Sequence, residues 1–315
     1  MKVLQLLIGA GMMLFIAVSA PADTIYSFQT VIDTGDVSFT QLLGINNAST
    51  IAGYFGDGVV VLNNGFTLVL PNSFTPENFP GSVQTQVVGI NNKGNTVGFY
   101  VDSASVTHGF TDTGGTFSTI DDPNGVLTQL LGLNDAGEAA GYWQNTGGTQ
   151  FPFTELGGTF TEFGGLLPLN TGAQATDVNN IGEVSGFYLD ASGDAHGFLL
   201  NGTTETAINY PGAVQTQVLG LNNVGQLSGF YIDASGNMHG FVDTSGSFQS
   251  IDDPFGLNMT TINGINDNGQ VVGFYVDSAG NTDGFVATPV PEPGTLILFS
   301  SALAILAFKL RKRKA

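Results

Sequence analysis

The sequence predicts an all-β protein, a six-bladed β-propeller with four strands in each blade, and three observations lead to this prediction. The frame Gly-[Ile/Leu/Val]-Asn-[Asn/Asp] occurs six times, with Asp177 replacing the glycine in the fourth copy. The copies begin 43 to 45 residues apart, and a second glycine follows nine residues later in each. Between the two terminal segments no apolar period of helical type is found. An all-β repeat of this length is typical of a propeller blade.

Each copy contains the sequence signals of four short strands. In the second copy, residues 85–92 and 95–101 flank an Asn-Asn-Lys-Gly turn, residues 108–113 follow a polar turn, and residues 116–121 follow Gly114-Gly115. Asn and Gly supply the positive φ angles of tight hairpins. A β-solenoid is the alternative, because it also stacks similar units, although its two ends need caps instead of joining.

The closure of the ring is predicted from a strand that is missing at one end of the repeats and present at the other. The sixth copy stops after its third strand, residues 283–288. The N-terminal residues 26–47 match residues 115–135, which hold the fourth strand of the second copy and the first strand of the third. We therefore expect an N-terminal strand outermost in the last blade, a propeller spanning residues 23–288, and the Thr-Gln-x-x-Gly-x-Asn-Asn strands on the axis.

Both termini carry targeting patterns. Residues 1–22 have one basic residue, an apolar run, and Ala20 and Ala22 at a small-x-small cleavage site, which predicts a signal peptide and a mature start at Asp23. Residues 289–315 combine an apolar stretch at 295–308 with a basic tail that favours the cytoplasm, so a transmembrane segment is expected there. A retained membrane anchor at either end is the alternative. Before the apolar stretch stand Val290, Pro291, Glu292 and Pro293.

This tripartite C-terminus resembles the PEP-CTERM sorting signal of Gram-negative bacteria. The resemblance implies an exported protein that an exosortase cleaves near the motif and that ends at the cell surface or outside the cell, where extracellular polysaccharide is a candidate partner. Over about 260 residues the repeats resemble bacterial extracellular HAF-type repeats, built on Gly-Ile-Asn followed by His-Gly-Phe or a similar tripeptide. That second resemblance implies no catalytic residues.

The charge of the predicted mature chain excludes one class of partner. Residues 23–291 hold 25 acidic side chains and a single basic one, Lys93, a formal net charge of −24. Nucleic acid is excluded as a natural partner, because phosphate binding needs basic groups. The acidic surface permits divalent cations, so calcium is an alternative to the expected absence of any cofactor. The chain has no Cys, which excludes disulfide scaffolds and thiol enzymes.

The repeated polar residues are interpreted as structural, and a role in catalysis or metal binding is the alternative. His108, His196 and His239 share one blade position, so we expect packing and backbone hydrogen bonds instead of metal binding or catalysis. One acidic residue recurs at another position and is expected to start a turn, with calcium binding as the alternative. The members of this second set are Asp102, Asp190, Asp233 and Asp277.

A ring of amides is the candidate binding site. A glutamine precedes five of the six frames by three residues, where it can surround one end of the channel and bind sugar hydroxyls. Trp143, and the non-repeated loop 72–82, mark places where the symmetry breaks and a ligand can be recognised. The glutamines are Gln41, Gln86, Gln129, Gln174 and Gln217.

These observations predict a non-enzymatic surface or matrix protein that binds glycan or protein on one propeller face. No catalytic residue is assigned, because no nucleophile stands beside a base in a known pattern. Two alternatives remain, a purely structural matrix component and a hydrolase or lyase of extracellular polysaccharide whose carboxylates converge on the axis. The membrane is a partner only through the C-terminal segment before processing.

Overall fold

The computed structural model describes residues 23–163 and 172–290, which form 24 β-strands. The strands make six four-stranded antiparallel sheets, so the predicted all-β class and four-stranded blades are confirmed. The predicted signal peptide with Ala20 and Ala22, the residues Pro291, Glu292 and Pro293, and the apolar segment 295–308 lie outside the described residues.

Within each blade the strands run in order from the axis to the rim. Blade 1 consists of β2 (Thr40–Ile45), β3 (Thr50–Phe55), β4 (Asn64–Val69) and β5 (Ser73–Pro76), and blade 2 of β6 (Gln84–Ile90), β7 (Thr96–Val101), β8 (Thr107–Thr113) and β9 (Thr116–Ile120). Blade 3 consists of β10 (Leu127–Leu133), β11 (Ala139–Gln144), β12 (Gln150–Leu156) and β13 (Thr159–Glu162), and blade 4 of β14 (Ala173–Val178), β15 (Glu183–Leu189), β16 (Ala195–Asn201) and β17 (Thr204–Ile208). Blade 5 consists of β18 (Gln215–Leu221), β19 (Gln226–Ile232), β20 (Met238–Thr244) and β21 (Ser247–Ile251), and blade 6 of β22 (Thr260–Ile265), β23 (Val271–Val276), β24 (Thr282–Val290) and the N-terminal β1 (Ile25–Val31).

The ring is closed by its first strand. β1 pairs antiparallel with β24, from Ile25 opposite Val290 to Val31 opposite Gly284, and is the outermost strand of blade 6. The six innermost strands contact one another in cyclic order, and β22 returns to β2. The predicted closure is confirmed, and the solenoid alternative is wrong. β24 continues through Pro289 to Val290, two residues beyond the predicted end of the propeller at residue 288, and β1 pairs with it to its end.

The His-Gly-Phe-type tripeptide fills the space between neighbouring blades. Its phenylalanine lies on the third strand of each blade and is at most 1% exposed. In five blades its middle residue is a glycine that faces the next blade, and a Cβ atom on Gly197 would lie 2.7 Å from the Val218 side chain. In blade 3 the middle residue is Pro152. The tripeptide therefore recurs because packing requires it, even where histidine is replaced. The six phenylalanines are Phe66, Phe110, Phe153, Phe198, Phe241 and Phe285.

The first asparagine of every frame joins two blades as well as shaping its own turn. The Oδ1 atom of Asn91 accepts hydrogen bonds from the backbone N–H groups of Lys93 and Asn95, both at 3.0 Å. Its Nδ2 donates to the backbone oxygen of Asn134 in the next blade at 3.0 Å. The same donation is repeated six times and closes on itself, through Asn46, Asn91, Asn134, Asn179, Asn222 and Asn266.

A second ring lies beside the first, at the next residue of each frame. There the backbone N–H of one blade donates to the side-chain Oδ1 of the following blade at 2.7 to 2.9 Å, again around the whole circle. The six residues of this second ring are Asn47, Asn92, Asp135, Asn180, Asn223 and Asp267. The asparagines of the first ring are buried, whereas the residues of the second ring are exposed or half-buried. Buried polar groups that find all their partners fix a unique arrangement, so we expect the first ring to set the angle between blades.

Removal of the closing strand should destabilise the whole propeller. A chain that begins at Thr34 lacks β1 and exposes the edge of β24, so we expect its free energy of unfolding to fall by several kcal/mol. Thermal and urea unfolding, compared with the chain that begins at Asp23, measure the loss. Melting temperatures that agree within about two degrees would contradict a stabilising role for β1.

The bond between blades can be measured apart from the turn that it accompanies. Asn91→Ala removes two turn hydrogen bonds and the donation to Asn134, whereas Asn145→Ala removes two equivalent turn bonds, to Gly147 and Thr149, with no bond to another blade. We expect Asn91→Ala to cost about 1 kcal/mol more than Asn145→Ala in urea unfolding, because it also removes one buried hydrogen bond between blades, while the Asn134 carbonyl keeps its bond from Gly137 N–H. Equal costs would show that the ring contributes nothing to stability.

Candidate ligand site in the axial channel

A β-bulge in every innermost strand turns one residue into the central channel. The pairing register of β2 with β3 shifts between Leu42 and Gly44, and the other five innermost strands shift at the matching place. Side chains along a strand normally alternate between the two faces of the sheet. The extra residue of a bulge breaks this alternation, so its side chain can point in another direction. All six bulge residues line one cavity of about 300 Å³, and they are Leu43, Val88, Leu131, Thr176, Leu219 and Asn263.

Four of the five predicted glutamines form the rim of this cavity, hereafter the upper cavity. Gln41, Gln86, Gln129 and Gln174 line it, whereas Gln217 is not among its lining residues. In blade 6 the matching position is Thr261.

Tyrosines orient two amides of the rim. The Tyr54 hydroxyl donates to Oε1 of Gln41 at 3.0 Å, and the Tyr142 hydroxyl donates to Oε1 of Gln129 at 2.8 Å. Burial raises the pKa of Tyr142 to about 12, so this hydroxyl keeps its proton. Each of these carbonyl oxygens accepts a hydrogen bond from its tyrosine. Among the described residues the Nε2 groups of the two amides have no acceptor, so they can donate to other partners.

Below the bulge residues the channel narrows to a throat where the backbones meet. A Cβ atom on Gly132 would lie 2.5 Å from the Cα atom of Asp177, and one on Gly44 would lie 2.6 Å from the Val88 carbonyl oxygen. Side chains are therefore excluded from most of this ring, and five of its six residues are glycine. The throat consists of Gly44, Gly89, Gly132, Asp177, Gly220 and Gly264.

Asp177 is the one residue of the throat with a side chain. Its Oδ1 accepts from its neighbour Val178 N and its Oδ2 accepts from Leu221 N in blade 5, both at 2.9 Å. Burial raises the pKa of its carboxyl to about 7, and the two backbone donors only partly offset that effect. The residue lines the upper cavity and also a cavity of about 60 Å³ on the other side of the throat.

The lower cavity is lined by the two asparagine rings. Asp135 accepts from the amides of Asn92 and Asn180, and Asp267 accepts from those of Asn47 and Asn223. Burial opposes ionisation of both carboxyls, but the amide donors outweigh it and hold their pKa values below the ordinary range. Their oxygens are thus engaged in joining blades.

The histidines lie on the blades far from the channel, and their partners correct the prediction of backbone hydrogen bonds. His108 Nδ1 lies 2.8 Å from Asp121 Oδ2, and its ring stacks on Tyr100. Burial opposes protonation of His108, but the carboxylates of Asp121 and Asp102 outweigh it and raise the pKa of the imidazole.

The other two histidines also contact side chains. His239 Nδ1 lies 2.9 Å from Asp252 Oδ2, and His196 Nε2 lies 3.2 Å from Asp190 Oδ2. In the described part of the chain no group of three or more His, Asp or Glu side chains is arranged to hold a metal ion. That the histidines bind no metal stays a prediction.

The predicted turn-starting aspartates do start turns. Asp102 Oδ1 accepts from Ala104 N and Val106 N, both at 2.8 Å, and the equivalent carboxylates do the same. These backbone donors lower the pKa of all four carboxyls. The set comprises Asp102, Asp190, Asp233 and Asp277.

Trp143, predicted as a ligand contact, lies in the core. Its side chain is 8% exposed, it stacks on Phe151 with ring centroids 4.3 Å apart, and its Nε1 donates to Glu162 at 3.3 Å. The loop at 72–82 contributes Phe79, which stacks on Tyr100 of the next blade. Trp143 and Phe79 therefore contribute to packing, whereas Asp177, which the sequence analysis noted as a departure from glycine without giving it a role, reaches the cavity.

Comparisons with known proteins concern the C-terminus and the fold. Residues 289–314 match the PEP-CTERM protein-sorting motif, which supports export and processing by an exosortase. No curated protein matches the chain. Within residues 23–163 and 172–290 no helix is long and apolar enough to cross a membrane, and the predicted transmembrane segment lies outside them.

Solved structures resemble this chain at low sequence identity. AofleA from Arthrobotrys oligospora is 11% identical, with 87% of this chain and 93% of that chain covered and a TM-score of 0.52. The six-bladed β-propeller lectin of Aleuria aurantia, described with a fucose recognition mode, is 11% identical over 81% of this chain and 98% of that chain, with a TM-score of 0.48. At such identity the likeness shows the fold alone.

Protonation of Asp177 should make stability depend on pH. The carboxyl of Asp177 has a pKa of about 7 in the folded protein, against an ordinary value of 3.8. The folded state therefore binds this proton more tightly than the unfolded state. This stabilises the folded state at low pH, and the stabilisation is lost as the pH rises toward 7. Asp177→Gly removes the effect and restores the residue of the other five blades. Between pH 4 and pH 8, we expect the free energy of unfolding of the wild type, measured in urea, to fall relative to that of this variant by an amount on the order of 3 kcal/mol. Parallel pH profiles would contradict the raised pKa.

Proposed function

We propose that the protein is an exported, exosortase-processed propeller that binds a glycan at the rim of the upper cavity and catalyses no reaction. The predicted mature chain runs from Asp23 to a cleavage near Pro293 at the cell surface or outside a Gram-negative cell, with extracellular polysaccharide as its partner. The sorting motif at residues 289–314 supports export. Membership of the HAF-type repeat proteins is part of this proposal.

The upper cavity is the observation that carries the binding proposal. At about 300 Å³ it lies at the small end of ligand pockets, and it combines an apolar wall with a few placed polar groups. Leu43, Val88, Leu131 and Leu219 contribute the apolar wall, and the glutamine amides supply both donors and acceptors at the rim. Such a mixture suits a sugar, which has hydroxyl groups around an apolar ring.

The same cavity argues against the hydrolase and lyase alternative. Glycoside hydrolysis uses two carboxyl groups, one on each side of the scissile bond. Among the described residues that line the upper cavity, Asp177 is the only one with a carboxyl group. Asp135 and Asp267 lie on the other side of the throat and line the lower cavity. A binding protein therefore fits the channel better than an enzyme.

A glycan array screened with the mature protein, with and without calcium, tests the proposal. For a sugar that binds, Gln86→Ala should weaken binding about fivefold, the effect of losing one hydrogen bond. Gln217→Ala is the matched control, because both glutamines lie opposite a phenylalanine in their hairpins and only Gln86 lines the cavity. Equal effects of the two variants would remove the channel as the site. No binding on the array would favour a purely structural matrix component.

A further inference from the structure

The floor of the upper cavity is polar on one side only. Four of its six bulge residues are aliphatic, whereas blade 4 contributes Thr176 beside Asp177 and blade 6 contributes Asn263. Thr176 Oγ1 donates to the Val218 carbonyl oxygen at 3.0 Å, and Asn263 Nδ2 donates to the Leu42 carbonyl oxygen at 2.8 Å. Thr176 has thus used its one donor and Asn263 has used one of its two N–H groups, so acceptors predominate in the free hydrogen-bonding capacity at the floor.

Asp177 is an acceptor that can take a further bond. A carboxylate offers about four lone-pair positions, and the N–H groups of Val178 and Leu221 occupy two of them. The residue is half-buried, and its exposed part faces the channel. A ligand that enters from the rim can therefore reach this carboxylate.

Asp177 also lacks a positive partner. The only lysine or arginine in the described residues is Lys93, whose exposed side chain lies in the turn beside the lower cavity. A buried carboxylate is costly to ionise unless a cation or several hydrogen-bond donors compensate it. A cationic ligand group at the floor would supply both the charge and the donors.

We propose that the upper cavity binds an amino sugar, with its protonated amine at Asp177 and Asn263 Oδ1 and its hydroxyl groups at the glutamine rim. The assignment rests on the proposed glycan-binding function and specifies the class of sugar. An ammonium group has three donors and no acceptor, which matches a floor of acceptors. Gln41 and Gln129, whose Oε1 atoms accept from tyrosines, would donate from Nε2 to the hydroxyl oxygens. Rim and throat are three residues apart along the strand, roughly 10 Å, so one ring enters end-on.

Three small glycosides distinguish the amine from the rest of the sugar. Binding of methyl glucosaminide, methyl N-acetylglucosaminide and methyl glucoside to the mature protein is measured by calorimetry at neutral pH and physiological ionic strength. The amine should bind about tenfold more tightly than either neutral sugar, because a charged hydrogen-bonded pair forms only with it. The three probes share one ring, so the difference reports the amine.

Two variants separate Asp177 from the general negative charge of the protein. Asp177→Gly carries the residue found at this place in the other five blades, and Glu205→Gln removes one charge from an exposed position outside the channel. We expect Asp177→Gly to abolish the preference for the amine and Glu205→Gln to retain it, with unchanged circular dichroism in both.

Other results overturn the inference. Equal binding of the three glycosides, a preference that survives in Asp177→Gly, or an equal loss in Glu205→Gln would each do so. Absence of methyl glucosaminide binding to wild type would also overturn it. The proposed function is tested separately, by comparing how Gln86→Ala and Gln217→Ala change the affinity for neutral sugars identified on the array.

Discussion

The structure depends on one hydrogen bond that is made six times, from an asparagine side chain to the backbone of the next blade. The asparagine is fixed by its own turn, as Asn91 is by Lys93 and Asn95, so the donor direction is set before the blades meet. Because the last donor, Asn266, reaches Asn46 in the first blade, no member can move without straining the others. The innermost strands come so close together that the throat has room for little more than backbone.

That crowding gives a nearly symmetric scaffold an asymmetric interior. Five glycines bring the backbones into contact, and Asp177 divides the channel into two cavities of different chemistry. In the lower cavity the amides and carboxylates form hydrogen bonds between blades. In the upper cavity some donors at the rim and some acceptors at the floor have no hydrogen-bond partner among the described residues. The proposed amine would therefore contact blades 4 and 6 alone, although six similar blades surround it.

Much of the fold could be predicted, because a period of about 44 residues and a displaced strand are properties of the linear chain. The partners of His108 and His239 could not, because Asp121 and Asp252 are 13 residues away and reach them only through the strand register. The asparagine bonds join residues 43 to 45 apart, where the sequence showed only a turn. The sequence showed Asp177 as a departure from glycine. Its position inside the channel could not be predicted, because it depends on β-bulges that no residue type indicates.

The closing strand also changes how the molecule carries mechanical load. A force applied through the C-terminus, where the sorting motif begins, enters the propeller at Val290. Without β1, β24 would be a sheet edge held by a single ladder of hydrogen bonds, to β23. With β1 on one side and β23 on the other, β24 is an interior strand, and pulling it out shears two ladders together. The N-terminal strand thus reinforces the strand through which the chain leaves the propeller toward the C-terminus.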